Sequence, residues 1–297
     1  MPEYTPFDRD RYAPATAGMA MSKSKKTYRV GVISDLHVGS LFALMSPEVK
    51  KGRKGRERQT VMANHIQRFL YGRWCEMCKH MNKDGPLDVL INLGDNVDGV
   101  NYHGRGFGTW TTVIKEQVDE ARNLIGMIEF KRIIGVNGSK YHVDNNMTAD
   151  EAVVSHFTPA PKSMVEYEPE FGTELVATIG GVRFHLSHKV GATSTIHRAT
   201  KINKEAMMAE LNKEKYGKFN VLLRAHAHYY RDVGTPFNRG FICPCWKIRD
   251  DFSQSGSLAW DPDIGYIIFT IEDGSYDWEA KIFRLTSDLI FDEVIVK

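Results

Sequence analysis

LDVLINLGDNVDG, residues 87–99, is the stretch whose reading decides the fold. Its first seven residues are almost continuously apolar and rich in branched side chains, as in a strand covered on both faces. Gly94-Asp95 and Asp98-Gly99 then make a polar turn where the strand would end. Three further runs share the form: TYRVGVI at 27–33, closed by Ser34-Asp35; KRIIGV at 131–136; and NVLLRA at 220–225. Between the first three lie stretches with helical spacing. Residues 60–80 place Val61, Ile66, Phe69, Leu70 and Trp74 along one side, and residues 111–130 do so with Val113, Val118, Leu124, Ile125 and Ile128. Alternating strands and helices predict an α/β architecture with a largely parallel central sheet.

After residue 170 strands dominate. ELVATIGGVRFHLSH is two β runs parted by Gly180-Gly181, a hairpin turn, and GYIIFTIED followed by GSYDWEAKIFRL is a second hairpin. One helix is expected at about 194–214. No internal repeat is visible, so residues 27–297 are expected to form a single two-sheet domain. Residues 1–26 carry Pro2, Pro6, Pro14 and MSKSKK without apolar periodicity, and are expected to be a flexible tail.

Composition narrows the class. Apolar residues at 42% and charged residues at 26% suit a globular chain rather than a disordered one. Apolar runs such as Tyr266–Thr270 are far shorter than the roughly 20 residues that span a bilayer. The N-terminus lacks a signal-like apolar core, so no membrane association and a cytoplasmic location are expected. A net charge of +2 neither demands nor excludes a polyanionic partner. Cys75, Cys78, Cys243 and Cys245 are too few for a disulfide framework and are expected to be buried free thiols rather than a four-thiolate zinc site.

The chemistry lies at the strand ends. They give Asp35-Leu-His37, then Asp95 with Asp98, then Asn137-Gly138-Ser139 with His142, then His185 and His188, and last His226-Ala-His228. Ligands collect beyond the carboxyl ends of strands in α/β sheets, and residues two apart on a strand share a side. Carboxylate, imidazole and amide or hydroxyl donors form the ligand set of borderline divalent metals such as Mn, Fe or Zn. So many donors suit two ions about 3.5–4 Å apart, an arrangement that clamps a phosphoryl group.

D-x-H, GD-x-x-D, an Asn-containing turn, a lone His and H-x-H, in this order over roughly residues 29–230, resemble the calcineurin-like metallophosphoesterases. The resemblance implies a two-sheet β-sandwich flanked by helices in four layers, α/β/β/α. It implies that Asp35, His37, Asp95 and His228 hold one ion, with Asp95 bridging. The second ion takes Asp95, His188, His226 and a donor from the third turn. The activity it implies is phosphoester hydrolysis by two divalent cations and a hydroxide between them. The sequence departs from the family at the third turn, VNGSKYHVD in place of Gly-Asn-His and an acid, where Asn137 is favoured as ligand and Ser139 is the alternative. His142 is the nearest substitute for the histidine that assists the leaving group. Ala225 replaces the glycine usual before H-x-H, a change expected to leave the ligands intact.

Asp98 is expected to orient a ligand histidine. His185 should face away from His188 as a hydrogen-bonded structural residue. Two loops bear on substrate. Lys50, Lys51, Arg53, Lys54, Arg56 and Arg58 form either a solvated loop or a grip on a nucleic-acid backbone. His103-Gly-Arg105-Gly-Phe107-Gly-Thr-Trp110 either stacks bases or packs its aromatics on the core. Together they tilt the expected substrate toward a phosphodiester such as DNA or RNA. A phosphomonoesterase acting on phosphoprotein or nucleotide, or a catalytically weak metal-dependent nucleic-acid-binding module, are the alternatives. Nothing in the sequence fixes an oligomeric state.

Overall fold

A computed structural model describes residues 26–52, 58–100, 106–142, 148–158, 170–191, 197–248, 262–286 and 289. In chain order the elements are β1 (Thr27–Ile33), β2 (Glu48–Lys51), β3 (Gln59–Met62), α1 (His65–Asn82), β4 (Val89–Asn92), α2 (Ile114–Ile125), β5 (Ile133–Val136) and α3 (Thr148–Ser155). There follow β6 (Phe171–Gly172), β7 (Glu174–Ile179), β8 (Val182–Lys189), α4 (Thr200–Leu211), α5 (Lys213–Tyr216), β9 (Val221–Ala225), β10 (Arg231–Gly234), β11 (Arg239–Ile242), β12 (Ile264–Glu272) and β13 (Ser275–Phe283).

Two sheets carry the fold, one ordered β13-β12-β1-β4-β5-β6 and the other β10-β11-β9-β8-β7. In the first, β1, β4, β5 and β6 run parallel, while the β12–β13 hairpin closes one edge antiparallel. In the second, β8, β9 and β11 are parallel with antiparallel strands at both edges. The sheets pack face to face through Val30, Val32, Ile91, Val136, Phe184, Leu186, Leu223 and Phe269. The other face of the first sheet is covered by Leu70, Trp74 and Met77 of α1, Leu124 of α2 and Val153 of α3. Ile202 of α4 packs with Ile242 on the other face of the second. This is the four-layer α/β/β/α arrangement that the family resemblance implied.

Several boundaries differ from expectation, each for a local reason. The helix expected from residue 60 begins at His65, because Asn64 caps it. Asn64 Oδ1 accepts the Gln67 N–H at 2.8 Å and Gln67 Oε1 accepts the Asn64 N–H at 3.0 Å, a reciprocal capping box. Val61 instead lies on β3, which pairs antiparallel with β2. Lys50 and Lys51 are therefore strand residues, not part of a loop, and Arg53, Lys54 and Arg56 lie outside the described residues. Val113 precedes α2 and is exposed rather than on its apolar face. The single helix expected at 194–214 is two, α4 and α5. Helix α3 had no counterpart in the reading of the sequence. The tail at residues 1–25 lies outside the described residues.

Candidate metal centre

Parallel neighbours in register release their loops at the same end of a sheet, and here the pairing runs past the strands. Beyond β1 and β4, the Asp35 N–H donates to Gly94 O at 3.0 Å, His37 N–H to Asp95 O at 2.9 Å and Val38 N–H to Asn96 O at 3.0 Å. The first two motifs are thereby zipped side by side. In the second sheet β8 and β9 are likewise parallel neighbours, with a register shift between Leu186 and Lys189 that falls on His188. The two sheets meet at the site: His188 Nδ1 lies 2.7 Å from Leu93 O, and the His226 N–H donates to Asp35 Oδ2 at 3.2 Å.

The backbone is strained where the donors sit. Asp35, His37, Asp95, His226 and His228 all adopt positive φ, between 47° and 70°. Outside glycine such values are costly and persist only where the surroundings enforce them. Gly94 (φ 86°) and Gly138 are needed for close approach, since a Cβ on the former would collide with the third turn and one on the latter with the Asp95 carboxylate.

Two donor groups result. Asp35, His37 and His228 form one: His37 Nε2 and His228 Nε2 are 3.0 Å apart, and Asp35 Oδ1 is 3.4 Å from His228 Nε2 and 3.8 Å from His37 Nε2. Asp95, His188 and His226 form the other: His188 Nε2 is 3.0 Å from Asp95 Oδ2 and 3.3 Å from His226 Nδ1. Bonds of about 2.1 Å at octahedral to tetrahedral angles set neighbouring ligand atoms roughly 3.0–3.4 Å apart; two of the three spacings in each group match this, and the third is longer, 3.8 Å from His37 Nε2 to Asp35 Oδ1 and 4.0 Å from His226 Nδ1 to Asp95 Oδ2. Asp35 Oδ1 is buried with no hydrogen-bond partner, the condition of a lone pair meant for a cation. It lies 4.0 Å from His188 Nε2, so the two groups adjoin. Asp95 also shares a third group with His37 and His142, which places it between the other two.

Electrostatics point the same way. Burial alone would raise the Asp35 carboxyl, but the imidazoles of His228 and His37 beside it and the charge of His188 outweigh it and hold the group well below the usual range. Asp95 behaves alike under His188 and His142. Burial disfavours a charged His188, yet Asp95 and Asp35 raise it to about 10. Positive charge is thus favoured at His188, between the two carboxylates. The donor set and its spacing fit two divalent ions.

At the third turn Ser139 is brought against the Asp95 carboxylate. The Ser139 N–H donates to Asp95 Oδ1 at 2.7 Å, and its hydroxyl lies 3.2 Å from Oδ1 and 3.1 Å from Oδ2. Asn137 Oδ1 is buried without a hydrogen-bond partner. His142 stacks edge-on against His37 with centroids 4.3 Å apart, and its Nδ1 is 2.8 Å from Asp98 O. A carbonyl only accepts, so Nδ1 carries the proton and Nε2 the lone pair. Burial first, then the positive charge near His37, lowers its pKa to about 4, so the ring is neutral at pH 7.

Asp98 Oδ1 lies 3.3 Å from His37 Nδ1, the orienting position expected of it. His185 faces away from the site, 2.8 Å from Glu174 and 2.9 Å from Arg224, as a structural residue. The four cysteines are free; Cys78, Cys243 and Cys245 are buried, and burial pushes the Cys78 thiol up to about 12. Trp110 is buried in the core and so is not a base-stacking platform, whereas Phe107 is 81% exposed. His103 and Arg105 lie outside the described residues. Asp150 and Lys247 escaped the reading of the sequence, since no motif surrounds either. Asp150, fully buried, accepts the N–H groups of Asp95, Asn96 and Gly138 at 3.1, 2.9 and 2.8 Å, tying the second turn to the third.

No protein-family profile and no curated protein matches the chain. Among solved structures, the chain is similar to Vps29 complexed with zinc from Entamoeba histolytica, at 13% identity and TM-score 0.38, over 86% of this chain and 99% of that one. It is similar to an archaeal phosphodiesterase at 11% identity and TM-score 0.41, over 85% and 99% of the two chains. A predicted phosphoesterase from Streptococcus pneumoniae gives 11% identity and TM-score 0.34, over 88% and 100%. At identities and scores this low, the functional reading rests on the geometry of the centre itself. No helix among the described residues is long and apolar enough to cross a membrane.

Proposed function

We propose that the chain is a phosphoester hydrolase that uses two divalent cations. The observation that carries this reading is the pair of adjoining donor groups, Asp35/His37/His228 and Asp95/His188/His226, at the shared end of two sheets. Asp95 is the residue placed to serve both ions, and Asn137 Oδ1, buried and unpartnered as Asp35 Oδ1 is, is the favoured third-turn donor, with Ser139 Oγ, already on the Asp95 carboxylate, the alternative. Mn, Fe and Zn all suit oxygen and imidazole donors of this kind. When bound, two such cations neutralise phosphoryl charge and make water acidic enough to attack near neutral pH.

The protein's own groups account for the rest. Leu93 O fixes the His188 tautomer so that Nε2 faces the centre. Asp98 Oδ1, 3.3 Å from His37 Nδ1 though not in hydrogen-bond geometry, is placed to orient His37 likewise. His142 handles the proton at the leaving oxygen: with Nδ1–H held by Asp98 O, Nε2 is the atom that carries a proton taken up from solvent to the departing oxygen.

We favour a phosphodiester of DNA or RNA. Exposed Lys50 and Arg58 lie at the end of the β2–β3 hairpin where its two strands are joined, and exposed Phe107 follows the second motif, which supports a backbone-gripping, base-stacking surface. Turnover of bis- and mono-nitrophenyl phosphate and of single- and double-stranded oligonucleotides, each with Mn, Zn, Fe and Mg, tests this. Diester turnover well above monoester supports it, and the reverse makes the chain a phosphomonoesterase. Metal-dependent oligonucleotide binding without turnover under any ion would leave a binding module only.

A further inference from the structure

A buried lysine stands beside the centre, and nothing in the chemistry above uses it. Lys247 is only 6% exposed, and its Nζ lies 2.9 Å from Asp98 Oδ1, itself on a residue 4% exposed. The same oxygen is 3.3 Å from His37 Nδ1 and 3.8 Å from His142 Nδ1. The segment that carries Lys247 is pinned to the first motif. Ser34 Oγ donates to Pro244 O at 2.8 Å, and the Trp246 N–H donates to Asp35 O at 3.0 Å. The Ile248 N–H donates to Phe42 O at 2.9 Å. Lys247 therefore reaches Asp98 from a backbone fixed on both sides.

A lysine is a poor choice for simple packing here, because two desolvated charges seldom stabilise more than apolar residues of the same volume. What the cation does is geometric. Asp98 belongs to none of the donor groups and stands at the Nδ1 side of His37. We propose that Lys247 is a positioning residue: by holding Asp98 Oδ1 it keeps that carboxylate behind His37, so that His37 presents Nε2 to the first cation. This rests on reading the centre as a metal site.

The test is calorimetric titration of chelator-stripped full-length protein with Mn and with Zn, alongside thermal melts. Lys247→Met should bind the weaker-held or first-site ion at least about tenfold less tightly, the usual cost of losing a residue that orients a ligand. Lys247→Arg should restore most of that affinity. Lys247→Met/Asp98→Asn, which removes both charges, should recover the melting temperature but not the affinity. If Lys247→Met binds both ions as the wild type does, the proposal is overturned. It is equally overturned if the double variant regains full affinity, since Lys247 would then only neutralise Asp98. Wild-type protein that binds neither ion would overturn the hydrolase reading and this inference with it, an outcome distinct from either result on the variants.

Discussion

The Asp150 carboxylate holds the main-chain N–H of Asp95 at 3.1 Å while also holding that of Gly138 at 2.8 Å. Asp95 sits at φ 51°, a conformation that a non-glycine residue keeps only when its surroundings impose it. Burial and the nearby Asp95 charge raise the Asp150 carboxyl, so it is a costly group to bury, kept for what it fixes. Asp150→Ala leaves three buried N–H groups unsatisfied. It should destabilise the fold by about 3 kcal/mol or more and lower metal content. Denaturant melts and metal analysis by mass spectrometry read both effects. A stable variant that retains two ions would show that the second and third turns hold their own shape.

Ser139→Ala and Asn137→Ala separate the two candidates at the third turn. The asparagine variant should lose about tenfold or more in affinity for the ion assigned to Asp95, His188 and His226, from a lost donor. The serine variant should lose less, since its hydroxyl already bonds the Asp95 carboxylate. The opposite ranking would make Ser139 the ligand.

His142→Ala should cut turnover by about 10²–10⁴-fold, the usual range for acid–base help, with two ions still bound. The loss should be smaller on a nitrophenyl ester than on an alkyl ester, because a good leaving group needs little proton assistance. Equal losses on both would place His142 on the attacking water alone.

Chelator-stripped protein should lose stability on the alkaline side. His188 is raised to about 10 when folded, against an ordinary value of 6.5. Its contribution is therefore whole below about pH 6.5 and disappears as pH rises through 10. A divalent ion replaces that proton, so metal-loaded protein should show little of this decline. Melting temperatures across pH 6–10, with and without chelator, test it. Parallel curves would mean that ions do not displace the His188 proton.

The two aromatics of the second loop should part company. Trp110→Ala removes a buried core ring and should cost roughly 3–5 kcal/mol. Phe107→Ala should leave stability within about 0.5 kcal/mol, yet weaken single-stranded oligonucleotide binding if the ring stacks on bases. Unchanged binding would remove Phe107 from the substrate surface.

Much of the centre was legible because it is local. β1 was read as Thr27–Ile33 and is found there, and both hairpins turn at the glycines that marked them. A continuous apolar run ending in Asp-x-His or Gly-Asp carries its own boundary, since charge cannot continue into a covered sheet. Helix α1 was misplaced by the five residues before His65, because Val61 continues the helical spacing while the Asn64 cap overrides it. α3 was missed because Val153 and Val154 make too short an apolar face to show a period.

The chain order of motifs thus determined the class of architecture and the chemical types of the donors: carboxylates and imidazoles at strand ends are written in neighbouring residues. Only the tertiary structure decided which third-turn side chain meets Asp95 and that His142 is neutral with its Nδ1 proton bound. It alone showed that Asp150 and Lys247, 55 and 149 residues from their partners, brace the centre. Those relations depend on distances of about 3 Å between groups far apart in sequence, and no periodicity or spacing along a chain encodes a separation of that kind.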